Sequence, residues 1–392
     1  MPEGCRCVVI VLDGVGAGAA PDAESYGDAG SNSLSHTART VGGLHLPNLA
    51  WLGLGCLTEI EGVPCAPRGP CGYGRMQPRS PGKDTISGHW ELMGIWLARP
   101  FPTYPKGFPD EIMRTVSQAT GREFLGNKPA PGTEIIQELG QEHMRTGKLI
   151  VYTSADSVFQ VAAHEEIVPV ADLYQICGTA RQILRGDHAV GRVIARPFRG
   201  DAPGKFQRTE NRRDFPLAPG SPSMMDKLVA AGKEVLTVGK IDDIFGGRGI
   251  SRSYHTLNNQ SSTTAVLELL NERFDGLLFA NLIEYDMIYG HRRDARGYAA
   301  ALEAFDRQLP EIQKRMRYGD LLMIVADHGV DPTAPGSDHT REYVPLLVWG
   351  DSLKAVVDLG TRETLSDVAA TIADVFGLEP PPVGSSFLEE IN

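Results

Sequence analysis

Residues 321–339 read LLMIVADHGVDPTAPGSDH, five apolar residues that stop at the adjacent pair Asp327 and His328. A short apolar run that gives way to polar, glycine-bearing sequence predicts a core strand of a mostly parallel sheet, with Asp327 and His328 just past its carboxyl end. In open α/β sheets ligands bind at that edge. His339 follows eleven residues after His328, through Asp331, Pro332, Pro335 and Gly336, a loop composition suited to folding back over the same edge. Taken alone, an Asp-His pair is also what a helix cap with surface histidines produces. The weight has to come from the rest of the chain.

Two more apolar runs end the same way. Residues 8–12, VVIVL, lead into Asp13 and Gly14, and residues 276–283 lead into Glu284, Asp286 and, five residues on, His291. A further strand at 234–238 ends at Gly239 and Lys240, and another is predicted at 344–349. Helical spacing recurs between them at 34–41, 46–52, 224–231, 263–271, 298–316 and 365–376, which predicts an α/β fold. Near the start of another helical pattern stands GKDTISGHWELMG, with Leu92, Ile95 and Trp96 at helical spacing. Thr85 and Ser87 there are ordinary helix caps or, in the sharper reading, a nucleophile that uses the free N–H groups and positive end of the helix to support a phosphoryl group. A neutral threonine needs a metal or base to activate it.

Residues 100–219 differ in character. The segment opens with PFPTYPKGFP and closes with FPLAPG, both proline-rich, as expected of linkers around an inserted smaller α/β domain. Helices are predicted at 110–119, 134–144 and 171–184, and strands at 149–152 and 192–195. Its last part carries Arg192, Arg196, Arg199, Lys205, Arg208, Arg212 and Arg213, either a phosphate clamp or a solvated basic face.

Composition bounds the function. The chain has 392 residues and a formal net charge of −11, which argues against a nucleic acid held by bulk charge, so any phosphate must be bound by local positive groups. No apolar run approaches a membrane span and VVIVL begins close to Met1, so the expectation is a cytoplasmic protein without a membrane partner. Cys5, Cys7, Cys56, Cys65, Cys71 and Cys177 form no C-x-x-C pair and read as free thiols. Cys65-Ala66-Pro67-Arg68 misses the sulfatase formylglycine pattern by one residue, and the surrounding CAPRGPCGYG reads as a loop.

Asp13, Asp286, His291, Asp327, His328 and His339 thus fall on one predicted edge, enough with Thr85 for two metal ions and in-line phosphoryl transfer. Oxygen and nitrogen ligands without thiolate favour Mn²⁺ or Zn²⁺, with Mg²⁺ possible, and two Mn²⁺ are the expectation. VVIVLDGVG, GKDTISGHWELMG, GNKPAPGTEIIQELG, VYTSADSVFQVAAHEE, GRVIARPF, YGHRRD and ADHG followed by DHTREYVPLLVWG resemble the phosphopentomutase family of the alkaline phosphatase superfamily over nearly the whole chain. The resemblance implies an alkaline phosphatase-like core, residues 1–99 and 220–392, with a mostly parallel central sheet flanked by helices and an inserted cap at 100–219. It implies one metal site at Asp286, His291 and His339, a second at Asp13, Asp327 and His328 with Thr85 as nucleophile, and sugar or phosphate contacts at Ser154, Asp156, Arg192, Arg208 and Lys240. The implied reaction interconverts ribose 1-phosphate and ribose 5-phosphate, and the 2-deoxy analogues, through a phosphothreonine and a 1,5-bisphosphate, with a sugar bisphosphate as activator and the cap excluding water. Val330 departs from the Asn expected after ADHG. A metal-dependent phosphatase or sulfatase on the same core, and a non-catalytic phosphosugar-binding protein, are the alternatives.

Overall fold

A computed structural model describes residues 5–154 and 157–392. The chain forms two compact units, one from Met1–Arg99 and Pro219–Asn392, the other from Pro100–Ala218. Among the described residues no helix is long and apolar enough to cross a membrane.

The first unit is built on an eight-stranded sheet. Arg6–Leu12 lies at its centre, paired in parallel with Gly276–Leu282 on one side and with Leu321–Val325 on the other. All three strands are buried along their whole length, which is why each reads as a near-continuous apolar run, interrupted only by Arg6 and Asn281, and not as an alternation. Glu234–Val238 extends the sheet beyond Gly276–Leu282, again in parallel. Asp13, Asp286 and Asp327 therefore leave three neighbouring strands at the same edge, with Lys240 one strand further out. Val344–Trp349 runs antiparallel beside Leu321–Val325, so the segment that enters it, with His339, arrives at that edge too. The opposite edge is closed by a buried ion pair, Arg6 to Asp320, whose guanidinium also donates to the carbonyls of Leu270 and Arg315.

Several elements differ from the sequence reading. The glycine-rich CGYGRM is a strand, Cys71–Met76, and not a loop; it pairs with Val344–Trp349 and with a further unforeseen strand, Val357–Arg362. Its glycines are the reason: a Cβ on Gly74 would come 2.6 Å from the Gly360 carbonyl oxygen, so close strand approach selected small residues where bulky ones signal a strand. The helix of the GKDTISGHWELMG stretch is Thr85–Leu92 and does not reach Trp96, because Gly94 takes a φ of 84° and breaks it. Cys56 and Cys65 are not free thiols but form a disulfide. A turn bridged by Ile60 and Val63 brings them together, a local geometry that cysteine spacing does not reveal, and the bond removes Cys65 as a nucleophile candidate. The other four cysteines are free and buried.

The second unit has a six-stranded sheet on whose path Phe124–Pro129, Leu149–Thr153, Val158–His164, Arg192–Arg199 and Gln207–Arg208 follow in that order, with Arg213–Pro216 paired to Arg192–Arg199. Side chains alternate between its faces. Leu149 and Val151 join a core with Ile112, Val116, Leu173 and Cys177 from two helices, while Ile150 and Tyr152 join another with Ile135 and Ile136 from Gly132–Thr146. The first, third and fifth of these strands, and Arg213–Pro216, were not anticipated.

Candidate functional site

The strand ends deliver the acidic and imidazole groups as two sets, Asp286 with His291 and His339, and Asp13 with Asp327 and His328, the ligand atoms within each lying within 4.8 Å of one another. His291 Nε2 and His339 Nε2 stand 3.3 and 3.1 Å from Asp286 Oδ1. His328 Nε2 stands 3.4 Å from both Asp13 Oδ1 and Asp327 Oδ2. The His328 and His339 rings are 4.1 Å apart, so the two sets adjoin.

Local backbone explains the grouping. Tyr285–Gly290 is a π-helical turn closed by His291 N–H to the Asp286 carbonyl at 3.1 Å. An α-helix would place residues five apart about 140° around its axis. The wider turn instead brings Asp286 and His291 onto one side. Gly14, at φ 83°, lets the chain double back after Asp13, and its amide donates to Asp327 Oδ1 at 3.1 Å. A Cβ there would strike Val330, which is fully buried and fills the space between Gly14 and Gly290. Val330 reaches the Asp13 loop through its own amide, 2.9 Å from the Gly14 carbonyl, so at this position the tie is made by backbone.

The geometry fits cations. Asp13 Oδ1, Asp286 Oδ1, Asp327 Oδ2 and His339 Nε2 are buried and have no hydrogen-bond partner among the described residues. Buried polar atoms without partners are rare and call for an explanation. Two ligands about 2.0–2.1 Å from one tetrahedral ion sit roughly 3.4 Å apart, close to the spacings found. His291 Nδ1 is 2.5 Å from the Ser337 carbonyl and His328 Nδ1 is 3.0 Å from that of Gly329, so these nitrogens carry the hydrogens and leave Nε2 free to ligate. Burial and the neighbouring Asp327 push the Asp13 carboxyl up. Burial opposes the charged form of Asp286, but His339, His328 and His291 outweigh it and hold its carboxyl well below the usual range. His328 is driven above its ordinary value, against burial, by Asp327 and Asp13. The upward shifts of Asp13 and His328 set proton binding there in competition with a cation.

Thr85 Oγ1 lies 3.2 Å from His328 Nε2, beside the second set. Ser87 plays a different part. Its hydroxyl donates to Asp84 Oδ2 at 2.8 Å and faces the Asp84 amide, closing a capping box. Asp84 also accepts from the Ile86 and Ser87 amides, so these N–H groups are not free for a phosphoryl group, contrary to the expectation from sequence. Lys83, next in the chain, pairs with Asp28 and Asp338 at 3.0 and 3.3 Å. Gly88 lets the helix lie on Asp327, since a Cβ there would come 2.3 Å from the Asp327 carbonyl oxygen. Gly88→Ala must lift the helix, and an ångström of misplacement costs about a hundredfold in rate. A folded Gly88→Ala protein with wild-type turnover would contradict this packing role.

The proposed sugar contacts are less gathered. Lys240 Nζ is 3.5 Å from Met287 Sδ, next in sequence to Asp286. Ser154 is half-buried at the end of Leu149–Thr153, and Asp156 lies outside the described residues. In the second unit Arg208 reaches the Tyr152 hydroxyl at 3.3 Å and Arg192 stands 3.6 Å from Asp214. Burial, and after it the neighbouring Arg212, pushes the Arg196 guanidinium down to about 10. Arg199 and Lys205 turn instead to Glu165 and Asp201.

Sequence reasoning missed the residues that hold these groups. Glu91 accepts from the Arg79 and Ser80 amides and from Thr364. Glu342 accepts from Ser33 and Thr340, and Arg341 binds Asp22 and the carbonyls of Pro78, Ser80 and Gly82. All three are buried charges, and Glu91 stands in the quoted GHWE. A buried charge in a motif was the available signal.

Residues 5–380 match the metalloenzyme superfamily. The chain is 62% identical over 387 residues to the phosphopentomutase of Herpetosiphon aurantiacus and 57% identical over 387 residues to that of Carboxydothermus hydrogenoformans, covering 99% of both chains in each case. It is 55% identical over 386 residues to that of Caldanaerobacter subterraneus, covering 98% of both.

Proposed function

The chain belongs to the metalloenzyme superfamily and, within it, to the phosphopentomutases, and from that membership we propose that Thr85 carries the phosphoryl group between the two ends of a pentose. Its substrates are small pentose phosphates, interconverted between the 1- and 5-phosphate. The observation that carries the reading is the position of Thr85 Oγ1, 3.2 Å from His328 Nε2, while the Ser87 hydroxyl is taken up in capping.

Asp286, His291 and His339 would hold one divalent ion, and Asp13, Asp327, His328 and Thr85 the other. Donor chemistry favours Mn²⁺, with Zn²⁺ or Mg²⁺ as alternatives. Bound there, the ions supply positive charge to the phosphoryl oxygens as transfer proceeds. Phosphorylated Thr85 gives its phosphoryl group to the free hydroxyl of a pentose monophosphate. The bond from phosphorus to Oγ1 breaks, one to the sugar oxygen forms, and the hydroxyl proton ends on Oγ1. The resulting 1,5-bisphosphate reorients and returns its other phosphate to Thr85. A sugar bisphosphate entering at this stage would prime an unphosphorylated chain. Ser154, Asp156, Arg192, Arg208 and Lys240 are proposed to hold the sugar and its second phosphate.

Partition between isomerisation and hydrolysis tests the reading. Wild-type enzyme given ribose 5-phosphate should yield ribose 1-phosphate in large excess over free phosphate. Arg208→Ala loses a charge-assisted contact of roughly 1.5–3 kcal/mol, so isomerisation should slow about ten- to a hundredfold, with phosphate release from the phosphoenzyme unchanged. Free phosphate as the main wild-type product would favour the phosphatase alternative instead.

A further inference from the structure

His89 is fully buried and lies one turn after Thr85 on the same helix. Its Nδ1 is 2.9 Å from the Thr85 carbonyl oxygen and 3.0 Å from Asp327 Oδ2. Its Nε2 is 2.9 Å from Asn281 Nδ2, and that same amide nitrogen is 2.7 Å from Asp13 Oδ2. Asn281 is itself fully buried, in Gly276–Leu282.

The roles of the atoms follow from what each can do. An amide nitrogen only donates, and its two hydrogens go to Asp13 and to His89. His89 Nε2 is then the acceptor, and the ring hydrogen sits on Nδ1, aimed at the Thr85 carbonyl and beside Asp327. Turning Asn281 over would set its oxygen against the Asp13 carboxylate. As placed, that oxygen has no partner among the described residues, so the orientation is held by the two bonds through nitrogen. Hydrogen bonds thus link Asp13, Asn281, His89 and the Thr85 carbonyl in one chain, and Asp327 Oδ2 stands beside it, 3.0 Å from His89 Nδ1.

We propose that His89 and Asn281 are positioning residues that hold the Asp13 and Asp327 carboxylates in a fixed mutual orientation and lock the turn bearing Thr85 to them. The inference rests on the reading of Asp13, Asp327, His328 and Thr85 as one metal set with its nucleophile. Outer partners of this kind set ligand orientation, and their loss costs about ten- to a hundredfold in metal affinity.

Calorimetric titration of metal-stripped protein with Mn²⁺ tests it, with thermal melting to confirm folding. Wild type should show two sites, and Asp327→Asn should lose one. Asn281→Leu and His89→Leu should each weaken that one site about ten- to a hundredfold and leave the other at wild-type affinity. His89→Asn, whose amide nitrogen can stand where Nδ1 stood, should recover most of the loss. Asn281→Leu, close to isosteric, carries the test alone where His89→Leu fails to fold. Two intact sites in Asp327→Asn would overturn the metal assignment itself. A lost site in Asp327→Asn with wild-type affinity in both leucine variants would overturn only the positioning role. So would equal weakening of both sites without recovery in His89→Asn, which a general packing defect gives.

Discussion

Thr85→Ala should lower mutase turnover by roughly four to six orders of magnitude, the size of loss seen when a covalent nucleophile is removed and only binding remains. The expectation rests on placement. Thr85 is the first residue of its helix, its hydroxyl faces His328, and no second hydroxyl in the stretch is available to take over. Ser87, two residues on, is 1% exposed and engaged by Asp84. Ser87→Ala should therefore cost about 1 kcal/mol of stability through the lost capping interaction and leave turnover near wild type. Thr85→Ser keeps the attacking oxygen and should retain measurable activity. Substantial turnover in Thr85→Ala, or its loss in Ser87→Ala alone, would move the nucleophile to the other hydroxyl.

The second large effect concerns cations. Chelation should abolish turnover, and Mn²⁺ should restore it in wild type, while Asp327→Asn should need about a hundredfold more metal or more, beyond the loss expected for an outer partner. Three carboxylates and three imidazoles share the site, all of them buried except His291. Burial and Asp327 push the Asp13 carboxyl up, and Asp327 and Asp13 push the His328 imidazole up against burial, so both groups bind a proton more readily than in water. Metal binding must expel these protons, so affinity should fall as pH is lowered and rise as it is raised toward neutrality. Full turnover after exhaustive chelation, or affinity independent of pH, would contradict the two assigned sets.

Much of this site could be read before the fold was seen, for a specific physical reason. Arg6–Leu12, Gly276–Leu282 and Leu321–Val325 are buried on both faces, so each reads as a largely apolar run with a clear end, and an aspartate of the site follows each within four residues. Parallel pairing then puts those ends at one edge. The strand Cys71–Met76 escaped because Gly72 and Gly74 serve close approach where strand signals rely on bulk. The five-residue spacing of Asp286 and His291 was visible but unexplained, because a π turn has no composition of its own. The Cys56–Cys65 bond escaped because the turn that joins the two residues is a matter of conformation. His89 stood in a quoted motif without a role, since a neutral imidazole in a helix is more often core than machinery. Only its distances to Thr85, Asp327 and Asn281 give it one.

Phosphoryl transfer by this route requires one covalent bond, from phosphorus to Thr85 Oγ1. Protein primed with a sugar bisphosphate, or isolated in its active form, should show by intact mass a species heavier by a single phosphoryl group, and fragmentation should place that group on Thr85, with no such species in Thr85→Ala. A phosphoryl group mapped to Ser87, or an active enzyme that never carries phosphate during turnover, would contradict it.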